Sequence, residues 1–344
     1  MVNSMFNDVK MLSNGNVIPT LGFGTYGLAQ GQQTIDCVAC AIKNGCRHID
    51  NADVYLNQES VGLAIQNCIQ EGLVTRDKLF VTSKVPDQKQ GFDKTVKCFM
   101  HTLDMMKLDY LDLYLIHSPL RQNKNWSEIV IDTWRALEYL HEKGLVKSIG
   151  VSNFAIRHLD FILKEAKIKP VCNQIELHPQ HQQKELVDFC FKNGIQPVAW
   201  STLNQGRIFK NETFLKLADK YGKTAAQIAI RWSFQKGFVP LASSSKPERI
   251  ENNFEIQDFE LSQEDMLLLD GLDGGEFSNW HDDSLIKVKP SSEDKQLQII
   301  PPLKRKYYLF GVIPFLACEQ QPHKSKWYLF GLPILKTKDK ICKI

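Results

Sequence analysis

A chain of 344 residues with 43% hydrophobic content is long enough for one large α/β barrel of roughly 250 residues plus an appendage, or for two ordinary domains. Nine cysteines, an odd number scattered through apolar segments, do not make a secreted disulfide framework. No run reaches the ~18 apolar residues of a membrane span, and the opening MVNSMFNDVK has no apolar targeting core, so the expectation is a cytoplasmic protein. The formal charge of +3 is uneven: residues 284–344 hold 12 Lys and Arg against 4 Asp and Glu, a balance of +8, which leaves −5 for residues 1–283.

In chain order, NDVKMLSNGNVIP carries Asn14-Gly15 between strand-like flanks and predicts a β-hairpin capping the N-terminal face of a barrel. Eight short apolar runs follow: TLGFGTY, CRHIDNA, LFVTSKV, LYLIHS, KSIGVSN, CNQIEL, PVAWS and FVPLAS. Between them lie amphipathic segments such as QTIDCVACAIKNG, ESVGLAIQNCIQEG, IVIDTWRALEYLHEKG and KELVDFCFKNG, each closing on a Gly suited to a helix C-terminus. Alternating strands and helices signal βαβ units, and a count of eight favours a closed (β/α)8 barrel over an open sheet. Cys37 and Cys40 form a CxxC inside the first of these helices, where no helix N-terminus stabilises a thiolate, so they read as buried thiols. Gly22, Gly24 and Gly27 spell GxGxxG, but LAQGQQ separates the last glycine from the next helix, which argues against a dinucleotide-binding open sheet. Beyond residue 283, KVKPSSEDKQ lacks periodicity and reads as a linker over 284–303, leading to a basic and aromatic tail over 304–344.

Asp50, Tyr55, Lys84 and His117 stand where HIDNADVY, FVTSKV and LYLIHSP break from apolar strand into polar residues, and strand C-termini are where catalytic groups collect in a barrel. A tyrosine with its pKa near ~10 exchanges protons poorly at neutral pH unless a positive charge stabilises its phenolate. Lys84 can supply that charge, Asp50 can keep Lys84 protonated, and His117 can hydrogen-bond a substrate oxygen as negative charge develops on it. Taken singly, each has an ordinary structural reading: a buried ion pair, a loop aromatic, a satisfied core histidine. Together they describe an acid-base site for a carbonyl or an alcohol. No pair of histidines has the spacing of an HExxH metal site, and no metal is expected.

HIDNADVY, TSKV, LIHSP, GVSNF, NQIELHP and SKPERIENN, in this order, resemble the aldo-keto reductase superfamily over about residues 5–281. The resemblance implies a (β/α)8 barrel that binds a nicotinamide cofactor, usually NADPH, and reversibly reduces aldehydes or ketones. It implies Tyr55 as general acid, tuned by Lys84 and Asp50, with His117 orienting the carbonyl. It assigns Ser152, Asn153 and Gln174 to the nicotinamide carboxamide, Trp200 to stacking on its ring, and Gly24 and Thr25 to the approach from the first strand. Ser201 and Leu203 fall along the pyrophosphate, and Ser243, Ser244, Arg249 and Asn253 at the adenosine end. Ser243 stands where many members have a lysine for the 2′-phosphate; Arg249 remains as a planar cation, so NADPH is favoured and NADH stays open. The resemblance places Val85, Pro86 and Ser118 where large aromatics are common, with Tyr26 and Trp280 walling a more open pocket for a small carbonyl substrate. A non-catalytic regulatory or scaffold protein is the alternative, and its mark would be loss of Tyr55 or Lys84. Single barrels of this kind are often monomers.

The tail repeats itself: KYYLFGVIPFLA at 306–317 and KWYLFGLPILKTK at 326–338 share Lys, paired aromatics, Leu-Phe-Gly and Pro. It resembles the short YLFG-type repeats at the ends of bacterial surface-polysaccharide enzymes. Interleaved aromatics and cations suit an anionic membrane surface, so a peripheral membrane or polysaccharide-assembly partner is expected through 304–344. A pair of short β-ribbons or a partly disordered tail is the plainer reading. Nucleic acid is not expected as a partner, although stacking on single strands uses the same residue types.

Overall fold

The computed structural model describes residues 8–119, 125–274, 303–309, 313–321, 324–329 and 332–338. By its internal contacts the chain divides into two compact units, residues 1–286 and 287–344, each taken by itself below.

The first unit opens with an antiparallel hairpin, β1 (Val9–Met11) and β2 (Val17–Pro19). Its loop, Leu12 to Asn16, closes through Gly15 N–H on the Leu12 carbonyl at 2.9 Å and Leu12 N–H on the Asn16 carbonyl at 2.8 Å. Gly15 takes the left-handed conformation, φ 84°, which a side chain disfavours. The turn is therefore longer than a two-residue Asn-Gly connection. Asn16 Nδ2 donates to the Lys147 carbonyl at 2.7 Å, and Leu12 and Ile18 pack with Phe80, Leu113, Val171, Val198 and Val239, most of them near the starts of their strands. The hairpin thus closes the N-terminal end of the barrel.

Eight parallel strands follow: β3 (Gly22–Gly24), β4 (His48–Asp50), β5 (Phe80–Val85), β6 (Leu111–Ile116), β7 (Val146–Ser152), β8 (Cys172–Glu176), β9 (Gln196–Trp200) and β10 (Val239–Ala242). They pair in sequence, and β10 returns to pair with β3, closing the barrel. Helices α1 (Gln32–Lys43), α2 (Gln58–Gln70), α3 (Phe92–Met106), α4 (Trp126–Glu142), α5 (Ile156–Glu165) and α6 (Lys184–Lys192) each cross to the next strand. Two helices, α7 (Glu212–Tyr221) and α8 (Ala225–Gln235), lie between β9 and β10, and α9 (Pro247–Phe254) and α10 (Gln263–Asp270) follow β10. The period of two sorts each strand. In β6, Tyr114 and Ile116 join the apolar layer beneath the helices, whereas Leu113 and Leu115 fill the interior. His117 continues the inward set. Because α1 begins at Gln32, well past Gly27, and the sheet is closed, the glycine-rich open-sheet reading has no counterpart.

The second unit contains an antiparallel four-stranded sheet, β11 (Leu303–Leu309), β12 (Ile313–Gln321), β13 (Lys324–Leu329) and β14 (Leu332–Lys338). Each sequence repeat spans most of one hairpin. The register bulges at Tyr307/Tyr308 in the first and at Trp327/Tyr328 in the second. Lys304, Glu319, Lys326 and Lys336 lie in one row across all four strands.

Candidate active site

Lys84 is fully buried near the end of β5. Its Nζ donates to Asp50 Oδ1 at 2.6 Å, to the Asn51 carbonyl at 3.0 Å and to the Tyr55 hydroxyl at 3.2 Å. All three ammonium hydrogens are thereby used, and the second carboxylate oxygen, Asp50 Oδ2, accepts from Gln174 Nε2 at 2.7 Å. Burial opposes the charge on Lys84, but Asp50 and then Tyr55 outweigh it and hold the ammonium above its usual pKa. Removing one partner of a buried pair like this costs about 3–5 kcal/mol. Tyr55 stands on a short 3-10 turn, Asp53–Tyr55, its ring half-buried and edge-on to Tyr26 and His117 at centroid distances of 5.2 and 5.9 Å. Burial pushes the Tyr55 pKa up; Lys84 pulls it down, as charge alone requires, without prevailing. In this state Tyr55 is a protonated group that touches a cation, the condition of a proton donor.

These groups open into a cavity of about 770 Å³. Of the sequence-derived positions, Gly24, Tyr26, Asp50, Tyr55, His117, Ser152, Asn153, Gln174, Trp200, Ser201, Leu203, Ser243, Ser244, Arg249 and Asn253 line it, while Lys84 acts from beneath. Thr25 does not reach it. Its hydroxyl donates to the Asp50 carbonyl at 2.9 Å and accepts from Asn51 Nδ2 at 2.8 Å, so it braces the Asp50 strand end. Val85 and Pro86 are likewise absent from the wall: Val85, one residue out of phase with Lys84, packs in the apolar layer under the helices. Ser118 turns away, its Oγ donating to Asp87 Oδ1 at 2.6 Å. Trp280 lies outside the described residues. Sequence reasoning missed Gln205, Gly206 and Phe209, which also line the cavity. They lie in a 3-10 segment, Asn204–Lys210, kinked by left-handed Gln205 and Gly206, and its single glycine was the only signal.

Residues 20–273 match the Aldo/keto reductase family. The chain belongs to that family. It is 44% identical over 279 residues to a Bacillus subtilis protein named glyoxal reductase, covering 81% of this chain and 98% of that one. It is 40% identical over 274 residues to the 9,11-endoperoxide prostaglandin H2 reductase of Trypanosoma cruzi, covering 79% and 93%. Among crystal structures, an aldo-keto reductase from a Medee basin deep-sea metagenome library, MGS-M4, superimposes with a TM-score of 0.75 at 38% identity, covering 81% of this chain and 99% of that one. This aldo/keto reductase is therefore an NAD(P)H-dependent oxidoreductase that reduces carbonyl groups. The non-catalytic alternative required loss of Tyr55 or Lys84, and both stand.

The cavity residues fit a nicotinamide cofactor. Ser201 Oγ is a buried polar atom without a partner among the described residues, held on the cavity wall by a left-handed backbone, φ 55°. Asn153, also left-handed at φ 60°, accepts at Oδ1 from Trp200 Nε1 at 3.0 Å and donates from Nδ2 to the His117 carbonyl at 2.9 Å. One asparagine thus fixes the Trp200 ring by its edge and ties it to the His117 strand. Ser152 Oγ donates to the Gln174 carbonyl at 2.9 Å.

Proposed function

We propose that this aldo/keto reductase reduces small polar aldehydes and ketones, dicarbonyl compounds among them, with NADPH as the preferred cofactor. The observation that carries the reading is the contact of the Tyr55 hydroxyl with an ammonium that Asp50 keeps charged, at the wall of a cavity large enough for cofactor and substrate together. A bound reduced nicotinamide supplies the hydride. Tyr55 donates the proton to the carbonyl oxygen, and Lys84 stabilises the phenolate left behind, which buried surroundings otherwise disfavour. His117 aligns the same oxygen from the neighbouring wall. Ser152, Asn153 and Gln174 would hold the carboxamide of the cofactor, and Trp200 would order its nicotinamide ring against the substrate. Arg249 supports NADPH: it lines the cavity beside Ser243, Ser244 and Ser245 and has no ion-pair partner among the described residues. The name of the Bacillus relative supports the dicarbonyl class. For the tail we infer docking to an anionic membrane surface, supported by its lysine-rich register.

Replacing Tyr55 by Phe tests the core of this reading. Turnover of a panel of aldehydes, ketoses and diketones should fall about 100-fold or more, while NADPH still quenches tryptophan fluorescence with unchanged affinity. A Tyr55→Phe enzyme with wild-type kcat would remove Tyr55 from the chemistry.

A further inference from the structure

The turn after β5 touches the supports of both groups that must meet the substrate oxygen. This 3-10 turn, Asp87–Lys89, starts three residues after Lys84. On one side Lys89 Nζ reaches Asp53, with 2.8 Å to Oδ1 and 2.8 Å to Oδ2. Asp53 is buried and opens the short turn that ends in Tyr55. On the other side Asp87 Oδ1 accepts from Ser118 Oγ at 2.6 Å, and Gln90 Nε2 donates to the Ser118 carbonyl at 2.7 Å. Ser118 is the residue next to His117. Three side chains of one turn therefore hold the Tyr55 turn and the His117 strand end.

The Tyr55 turn is anchored at its two ends, by Asn51, whose Nδ2 donates to Asn57 Oδ1 at 2.7 Å, and by Asn57, whose Nδ2 donates to the Thr25 and Leu28 carbonyls at 2.9 Å each, so the tie from Lys89 adds a hold between those ends. The turn is a single 3-10 turn, closed by Tyr55 N–H on the Ala52 carbonyl at 3.0 Å and Leu56 N–H on the Asp53 carbonyl at 3.3 Å. It ends on Leu56 at φ 58°, a left-handed conformation that costs a branched residue about 1 kcal/mol or more. Leu56 is 79% exposed and Val54 41%, so neither packs the turn down. Between its anchored ends, the other side-chain supports of the turn are the Tyr55 ring contacts and the 3.2 Å contact to Lys84. The Asp53 carboxylate is also approached by Cys98 Sγ at 3.7 Å, but a thiol is a weak donor and does not neutralise it.

We infer that Lys89 and Asp53 form a positioning pair for the reaction: with Asp87 and Gln90 they make the turn after β5 a clip that fixes the distance from the Tyr55 hydroxyl to His117. This rests on the assignment of Tyr55 as proton donor. Neither residue lines the cavity, so the clip acts through Tyr55 and leaves cofactor affinity alone. Misplacement of a reacting group by about 1 Å can slow chemistry by up to ~100-fold, so the effect belongs in kcat.

The test is a double-mutant cycle of Lys89→Gln, Asp53→Asn and both together, with Lys89→Arg as the conservative variant. Rates are normalised to cofactor-binding sites counted by tryptophan quenching, which sets aside any unfolded fraction. The expected result is a kcat reduced about 10-fold or more in each single variant, a double variant no slower than the worse single one, and NADPH affinity within twofold of wild type. The deuterium isotope effect with 4-deuterated NADPH should rise in the single variants as hydride transfer becomes slower than release, and Lys89→Arg should recover most of the rate. A kcat within twofold of wild type in both single variants overturns the clip, as do losses that simply multiply in the double variant. Tyr55→Phe, run alongside, separates the two ideas: if it keeps turnover, the proton-donor assignment has failed; if it is inactive while Lys89→Gln is unimpaired, only the clip has.

Discussion

His48 shows what the barrel interior does to a titratable residue just below the site. It is fully buried two residues before Asp50, its Nε2 lies 3.1 Å from Thr82 Oγ1, and its Nδ1 has no partner among the described residues. Burial pulls its pKa down from 6.5 to about 4; Asp50 opposes this and Lys84 adds to it. Because the folded-state value is depressed, the unfolded chain binds more protons between those two values, and stability falls as pH is lowered through that window. At 1.36 kcal/mol per unit the loss amounts to about 3 kcal/mol. Urea unfolding at pH 7 and at pH 4 should show it, and His48→Gln should flatten the difference by most of that amount. A variant with the same pH dependence as wild type would place the acid sensitivity on other groups.

At the scale of elements, α2 and α3 approach closely at Gly62. A Cβ on Gly62 would stand 2.4 Å from the backbone Cα and carbonyl oxygen of Met106, and backbone cannot swing aside as a side-chain tip can. Gly62→Ala should therefore lower unfolding free energy by about 1–3 kcal/mol, read from chemical denaturation, with kcat at low temperature nearly unchanged because neither helix bears a cavity residue. That glycine reads from the sequence only as a weak helix former, since its partner lies 44 residues away. All eight barrel strands were legible for the opposite reason: each is a short apolar run that ends in polar residues, a local pattern. Asp50, Lys84 and His117 were legible because they stand at or beside those ends, and Tyr55 because it follows Asp50 by one short turn. What escaped depended on phase or on distant partners. The resemblance places Val85 in the pocket after Lys84, yet strand alternation turns it outward, and Thr25 and Ser118 are drawn away by Asn51, Asp50 and Asp87. The kinked strap from Gln205 to Phe209 relies on left-handed backbone that a glutamine does not announce.

At the scale of the whole molecule, the first unit carries the cavity and the second a four-stranded sheet within a lysine-rich segment. Every described residue that lines the cavity falls between Gly24 and Asn253, within the first unit. In the terminal sheet the register sets Lys304, Glu319, Lys326 and Lys336 in one row and Lys324 opposite Lys338. Lysines near an anionic leaflet contribute about 1 kcal/mol each, within a Debye length of about 8 Å at physiological salt. Full-length protein should accordingly float with vesicles containing phosphatidylserine and come off as salt is raised, while a chain ending at residue 283 should stay at the bottom of the gradient with kcat within twofold of the full chain. Equal flotation of the two would remove the membrane from the tail's role. Retention by single-stranded nucleic acid, but not by vesicles, would show that the lysine-rich tail serves a different polyanion. A drop in kcat on truncation would mean that the tail contributes to turnover.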